Sequence, residues 1–413
     1  MNEFAIIWEW LAFAVRWVHV ITAIGWIGSS FYFIALDLGL HRDRNLKSGA
    51  DGEEWQVHGG GFYHVQKFLV APEAMPEHLV WFKWESYSTW LSGAALMMIV
   101  YWAGADLFLI DPNVWDVPVM GAIAVSAGSI AFGWIAYDWI CKSRFGDDNT
   151  RLMLFLYVVL VLMAWGYTQV FTGRASFLHL GAFTATIMTA NVFFVIIPNQ
   201  RIVVDDLKAG RVPDAKFGKI AKQRSTHNNY LTLPVIFLML STHYPLAFGT
   251  EFNWIIASLV FLMGVTIRHY FNTVHARAGN PRWTWLVTAL LFILVMWLST
   301  VPKILTGAVD QQKVRLSPFS TKLATADGFS AVSDVVTGRC SMCHSSDPYW
   351  DGIYHAPKGV ILETREQIAA HGRDIYLQAG RSHAMPPANV SFMEDAERAL
   401  IVAWYENAAA RAE

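Results

Sequence analysis

The sequence predicts an all-α chain: an eight-helix transmembrane bundle followed by a small helical domain. Three observations predict it. Of the 413 residues 54% are hydrophobic and only 15% charged, with 19 Trp and 26 Phe, too apolar a balance for one soluble domain of this length. Eight apolar runs, each about twenty residues long and so able to cross a bilayer as a helix, occupy the chain up to residue 301. The remaining stretch has no such run, and carries Cys340-Ser341-Met342-Cys343-His344.

The runs lie at residues 11–36, 89–110, 117–139, 152–172, 177–198, 230–248, 253–271 and 284–301. In hydrocarbon each can satisfy its backbone polar groups only as a helix. The first run has no basic segment before it and no small-residue cleavage site after it, so it is expected to stay in the mature protein. Residues 37–88 form a long insertion with His58-Gly59-Gly60-Gly61-Phe62-Tyr63-His64 and Pro72-Glu73-Ala74-Met75-Pro76-Glu77-His78. Loops of that length are more often functional than idle. Residues 1–301 are thus expected to form one membrane domain, 302–326 a Ser, Thr, Lys and Ala-rich linker, and 327–413 a second domain.

The C-x-x-C-H pattern attaches a c-type haem: two thiols form thioethers to the porphyrin and the adjacent imidazole ligates iron. Cys340, Cys343 and His344 are the candidate residues. A chance match, a redox pair or structural zinc are the alternatives, and zinc would want further ligands at suitable spacing. The third cysteine, Cys141, lies far away and is read as unpaired. Met385, followed by Pro386, stands where a small cytochrome places its axial thioether, and a His/Met pair raises the reduction potential. Met342 and Met393 are the competing methionines. A short helix at Phe329 to Val336 and an amphipathic one at Glu394 to Ala408 frame the motif, which completes a class I cytochrome c domain.

A c-type haem is attached on the outer face of the bacterial plasma membrane, so the C-terminal domain is expected in the periplasm. Eight crossings bring the N-terminus there too. Basic residues agree: Arg42, Arg44 and Lys47 follow the first run, Lys142, Arg144 and Arg151 the third, and Arg201, Lys208 and Arg211 the fifth. The expected location is the inner membrane, multi-pass. A net charge of −2 and no basic stripe with interleaved aromatics give no reason to expect a nucleic acid partner.

Ionisable groups in hydrocarbon are expensive and are site candidates by default. Arg16 and His19 are three residues apart on one helix face, and the expected topology sets His19, His179 and His243 in one leaflet. Imidazoles at one depth can ligate a b-type haem, with Arg16 or Arg174 on its propionates. They can equally hydrogen-bond across helices. The opposite mouth has Trp84 and Glu85, His227-Asn228-Asn229 and Arg268, groups suited to a planar anionic heterocycle, or to interfacial anchoring.

Trp17-Val18-His19-Val20-Ile21-Thr22-Ala23-Ile24-Gly25-Trp26, His58-Gly59-Gly60-Gly61, Trp81-Phe82-Lys83-Trp84-Glu85, His227-Asn228-Asn229-Tyr230 and the terminal Cys340-to-Met385 unit together resemble the bacterial membrane-bound, cytochrome c-fused urate oxidases. The first helix alone is similar to small membrane protoporphyrinogen oxidases, in which the matching histidine binds b-haem. The main resemblance implies oxidation of urate to 5-hydroxyisourate, with electrons leaving through the cytochrome to a downstream cytochrome c or terminal oxidase. Chemistry then asks for a general base, for which Glu85, His64 and His227 are candidates. It also asks for groups to recognise the anion: Arg268, Asn228, Asn229 and Trp84. Two other functions fit the same residues, a membrane electron-transfer cytochrome without its own substrate and a haem-linked oxidase of another substrate such as a porphyrinogen.

Overall fold

The structure, a computed structural model, describes residues 2–42, 46–68, 76–111, 114–306, 314 and 316–410. It is 72% helix and 5% strand. The first helix, α1 (Asn2–Gly39), is followed by a hairpin of β1 (Ala50–His58) and β2 (Gly61–Phe68). Next come α2 (Trp84–Leu96), running on through a π turn at Met97–Trp102, α3 (Val119–Lys142) and α4 (Asn149–Thr168). Helix α5 (Gly173–Ala190) passes through a π turn at Asn191–Ile196 into α6 (Ile197–Lys208); α7 (Ala215–Leu240), α8 (Asn253–His275) and α9 (Trp283–Thr306) complete the bundle.

Among the described residues six stretches are long and apolar enough to cross a membrane: Ile6–Gly39, Val119–Lys142, Asn149–Thr168, Gly173–Lys208, Asn253–His275 and Trp283–Thr300. The runs at 89–110 and 230–248 differ from expectation. The first breaks around Gly104, after the π turn. The second belongs to α7, which starts in the charged stretch at residue 215 and stops at Leu240. Both helices nonetheless pack in the bundle, α2 on α1 and α7 between α5 and α8. Side chains fix several helix starts: Asp148 accepts from Arg151 N, Thr172 from Ala175 N and Asp214 from Lys216 N. The core centres on α5, with Phe171, Phe177, Leu180, Ile187, Leu238 and Ile256 buried. Outer helices expose Trp10, Phe13 and Ile24 on α1 and Leu290, Ile293 and Trp297 on α9. Such surfaces suit lipid, and the six apolar helices are compatible with a multi-pass membrane protein.

The hairpin corrects the all-α expectation. Its strands pair antiparallel with Trp55 opposite His64, and Gly59 and Gly60 turn the chain with φ of 59° and 80°, a region open to glycine and costly for other residues. Asp37 at the end of α1 receives Lys67 of β2 and, at 3.5 Å, Lys222 of α7. Arg277 donates to the Gly39 carbonyl at 3.0 Å. The insertion is therefore bound to the bundle end.

Residues 316–410 form a separate lobe with α10 (Pro318–Thr325), α11 (Phe329–Arg339), α12 (Arg365–Ala370) and α13 (Asp395–Ala410). Leu323, Val332, Val336, Ile368, Ile401 and Trp404 make its core. Part of the stretch read as linker belongs here: α10 buries Leu323, whose carbonyl accepts from Trp404 Nε1 at 3.0 Å. The lobe meets the bundle end opposite the hairpin, with Arg373 3.7 Å from Glu9 of α1 and Gly359 against Pro245.

Candidate active site

Helix α7 buries Arg224, His227, Asn228, Asn229 and Thr232, and its geometry divides them. At 3.6 residues per turn successive side chains stand about 100° apart, so His227, Asn228 and Asn229 do not act as one cluster. His227 Nδ1 is 2.7 Å from the Tyr137 hydroxyl of α3, and Asn191 Nδ2 donates to the same oxygen at 3.3 Å. Asn228 spends its amide on structure: Oδ1 accepts from Asn191 and Nδ2 donates to the Met188 carbonyl. Arg224, 2% exposed, pairs with Asp138 at 2.8 Å and lies over the Tyr137 ring. Asn191 opens a π turn, an irregularity that recurs at functional positions.

On the other side of α7, Asn229 Oδ1 accepts from Arg268 Nε at 3.2 Å and from Asn272 Nδ2 at 2.9 Å. Arg268 Nη2 donates to Asn272 Oδ1 at 3.0 Å, closing a triangle, and the guanidinium sits 4.1 Å from the Phe31 ring centroid. Arg268, Asn272 and His275 follow the i, i+4, i+7 spacing of one helix face, which leads toward the hairpin.

Several buried polar atoms in this half of the bundle have no hydrogen-bond partner: His227 Nε2, Asn229 Nδ2, Glu85 Oε2, His275 Nδ1 and, from the hairpin, Glu54 Oε2. Buried polar groups are ordinarily paired, because an unpaired one costs about 1–3 kcal/mol. They lie on different sides of α7, His227 Nε2 toward Tyr137 and Asn229 Nδ2 toward Arg268, and a polar ligand at either place would pair the atom there. An apolar groove of about 180 Å³, lined by Phe132, Gly133, Ile140, Phe155, Met163 and Phe183 among others, offers such a ligand almost nothing to bond.

The other candidates fall elsewhere. His64 is on the hairpin, 2.8 Å from Glu53 and stacked on Trp55, so its ring is committed there and not brought to the buried groups. Trp84 is 63% exposed at the start of α2. Glu85 faces α1 near Gly25. Tyr137, Arg224 and Glu54 were not foreseen, since a tyrosine in a span, a loop arginine and a hairpin acid carry no motif.

The three histidines read as candidates for a b-type haem differ in what holds them. His179 is buried with Nδ1 on the Ala175 carbonyl at 2.8 Å and Nε2 on Ser126 Oγ at 2.7 Å, so its Nε2 lone pair accepts from the serine hydroxyl. His243 is exposed beside the C-terminal lobe. His19 keeps one nitrogen: Nδ1 bonds the Thr89 carbonyl at 3.0 Å, and Gly93 makes room for the ring, because a Cβ there would stand 2.9 Å from Cε1. Arg16 is exposed, and Arg174 lies over Phe108 at 5.3 Å.

In the lobe, α11 delivers Cys340, and the His344 amide bonds back to the Cys340 carbonyl at 2.9 Å. His344 Nδ1 bonds the Val360 carbonyl at 2.9 Å; a carbonyl only accepts, so Nδ1 carries the proton and Nε2 keeps the lone pair. Burial holds the imidazole below its ordinary pKa, hence neutral. Burial, helped by Cys343, pushes the Cys340 thiol up to about 11. Cys340 and Met385 pack on the same core, and buried Arg398 donates to the Met385 carbonyl at 2.9 Å. Among the described residues no three His, Cys, Asp or Glu side chains group to hold a metal ion.

A family model described as urate oxidase N-terminal matches residues 5–299. The chain belongs to that family. The match covers the whole bundle and stops before the lobe, so the buried groups on α7 and α8 are family territory and the C-x-x-C-H motif is not. Urate oxidase membership makes the chain an oxidoreductase by relationship and urate the substrate it suggests. Comparison with curated proteins and with solved structures gave no match.

Proposed function

We propose that this urate oxidase family member is an inner-membrane enzyme that oxidises urate to 5-hydroxyisourate, its electrons passing to a c-type haem carried by the lobe. The observation that supports it best is the unpartnered His227 Nε2, Asn229 Nδ2 and Glu85 Oε2 inside the family-matched bundle, joined in one chain to a C-x-x-C-H lobe. The reaction balances as urate plus water giving 5-hydroxyisourate, two electrons and two protons. Oxygen need not be reduced to peroxide. A downstream cytochrome c or terminal oxidase would be the final acceptor.

In this reading the Arg268–Asn229–Asn272 triangle orients the urate anion, with Asn229 Nδ2 donating to a ring carbonyl. Asn191 donates to the Tyr137 oxygen, so the phenol proton is available to His227 Nδ1 and the imidazole proton resides on Nε2. His227 can then donate from Nε2 to a group on its own side of α7, across the helix from the triangle. Glu85 is the better base, its free oxygen being an acceptor by nature. His64, tied to Glu53, is dropped from that role.

The lobe fits a c-type haem: both thiols are free, His344 is fixed in the ligating tautomer, and Met385 packs on the core shared with Cys340. Such a haem would take electrons one at a time at a potential raised by its thioether ligand. A non-covalent haem in the bundle would take His19, whose Nδ1 is anchored and whose Nε2 is not. The expected periplasmic side of the lobe and N-terminus belongs to the same proposal.

The test is product and oxidant. Membranes supplied with urate and ferricyanide under nitrogen should form 5-hydroxyisourate at two ferricyanides per urate. Formation of peroxide in air at one per urate would point instead to a conventional oxidase.

A further inference from the structure

The end of the bundle facing the lobe, where Glu9 meets Arg373, also gathers basic groups. Arg16 of α1, Arg174 at the start of α5 and His243 lie within electrostatic reach of one another, and Lys358 of the lobe reaches His243. None of the four is in an ion pair among the described residues. Arg174 and Arg16 are also within electrostatic reach of Tyr101, which is 4% exposed and has the Arg174 guanidinium beside its hydroxyl. The buried Arg174 Nε is unpartnered. Phe108 and His179 wall the phenol at centroid distances of 6.4 and 5.9 Å.

Like charges cluster at a cost, and more so with the low-dielectric interior on one side. Two guanidinium forks and a buried phenol form the donor set that recognises anionic oxygens. We infer that Arg16, Arg174 and Tyr101 form an anion site, with His243 at its rim, for oxyanions borne on a flat ring. Two sources share that chemistry: the propionates of a haem, or urate itself.

Placement favours the haem. Lys358 and Gly359 belong to the loop whose Val360 carbonyl holds His344, and that loop packs on Pro245. The lobe's own buried arginine, Arg398, is spent on the backbone carbonyls of Ala379 and Met385. The site also lies nearer the lobe than Arg268, which is fifteen residues along α8 from Asn253, about 22 Å at 1.5 Å per residue. The propionate source rests on the proposed haem; the urate source does not.

The experiment uses full-length protein in detergent, with Arg16→Gln, Arg174→Gln, Arg174→Lys and Tyr101→Phe. Haem content, haem midpoint potential and equilibrium urate binding are read on each, beside thermal stability. A lowered midpoint or lost non-covalent haem in the Gln variants, partly restored in Arg174→Lys, is expected and assigns the propionates. At least tenfold weaker urate binding with unchanged haem also supports the site and assigns urate. Folded variants unchanged in all three readouts overturn it. Wild-type protein lacking haem would end the haem reading while leaving the urate comparison to decide the site.

Discussion

His227 of α7 and Tyr137 of α3 are joined by a 2.7 Å hydrogen bond between Nδ1 and the phenol, and the far side of the same imidazole is buried with no partner. One nitrogen holds the ring still and the other is left for chemistry. His227→Ala should therefore lower urate turnover by roughly 10²- to 10⁴-fold, the span of a general acid or base. Tyr137→Phe should cost about 0.5–1.5 kcal/mol of stability and a smaller part of the rate. Steady-state kinetics with thermal melts separates the two, and equal losses would make the pair merely structural.

Arg268 makes its bonds through Nε and Nη2 at once, a geometry lysine cannot copy. Arg268→Lys should raise the urate KM more than it lowers kcat, by about tenfold or more if a charge-assisted bond worth roughly 1.5–3 kcal/mol is lost. An unchanged KM would remove Arg268 from substrate recognition.

His64→Ala should leave turnover within about threefold of wild type, since surface changes are usually worth less than about 0.5 kcal/mol and the ring is spent on Glu53 and Trp55. A collapse in kcat would return His64 to the reaction.

Glu397 gives the lobe an acid limit. Burial alone would raise its pKa, but the Glu394 amide and Arg339 outweigh burial and hold the carboxyl below the usual range. With the folded value depressed, its stabilisation is complete above the ordinary carboxylate pKa of about 4.3 and is lost as pH falls through the folded value. Melting between pH 6 and 3 should show the wild-type lobe losing stability faster than Glu397→Gln. Parallel curves would contradict this.

Much of the fold was legible because apolar runs of helical length are a strong signal: among the described residues six of the eight runs fall on helices long and apolar enough to cross a membrane, while those at 89–110 and 230–248 are broken or stop short. The hairpin departs from the expected loop because its polar–apolar alternation is short, Glu54 to His58 in β1, and Asp37 of α1 holds β2 through Lys67. Residue type picked out His227, Asn229 and Arg268. It could not tell that Asn228 would turn to the Met188 backbone, or that Ser126 would occupy His179, because facing residues are a property of packing. Glu54 is delivered by a strand that had been read as loop.

In the proposed reaction electrons leave urate inside the bundle and arrive at a haem carried by Cys340 and Cys343. Oxidised full-length protein, kept anaerobic, should develop a reduced c-type α-band on addition of urate, complete at about half an equivalent per haem because each urate supplies two electrons. An α-band that stays oxidised with excess urate, yet appears with dithionite, would contradict the account.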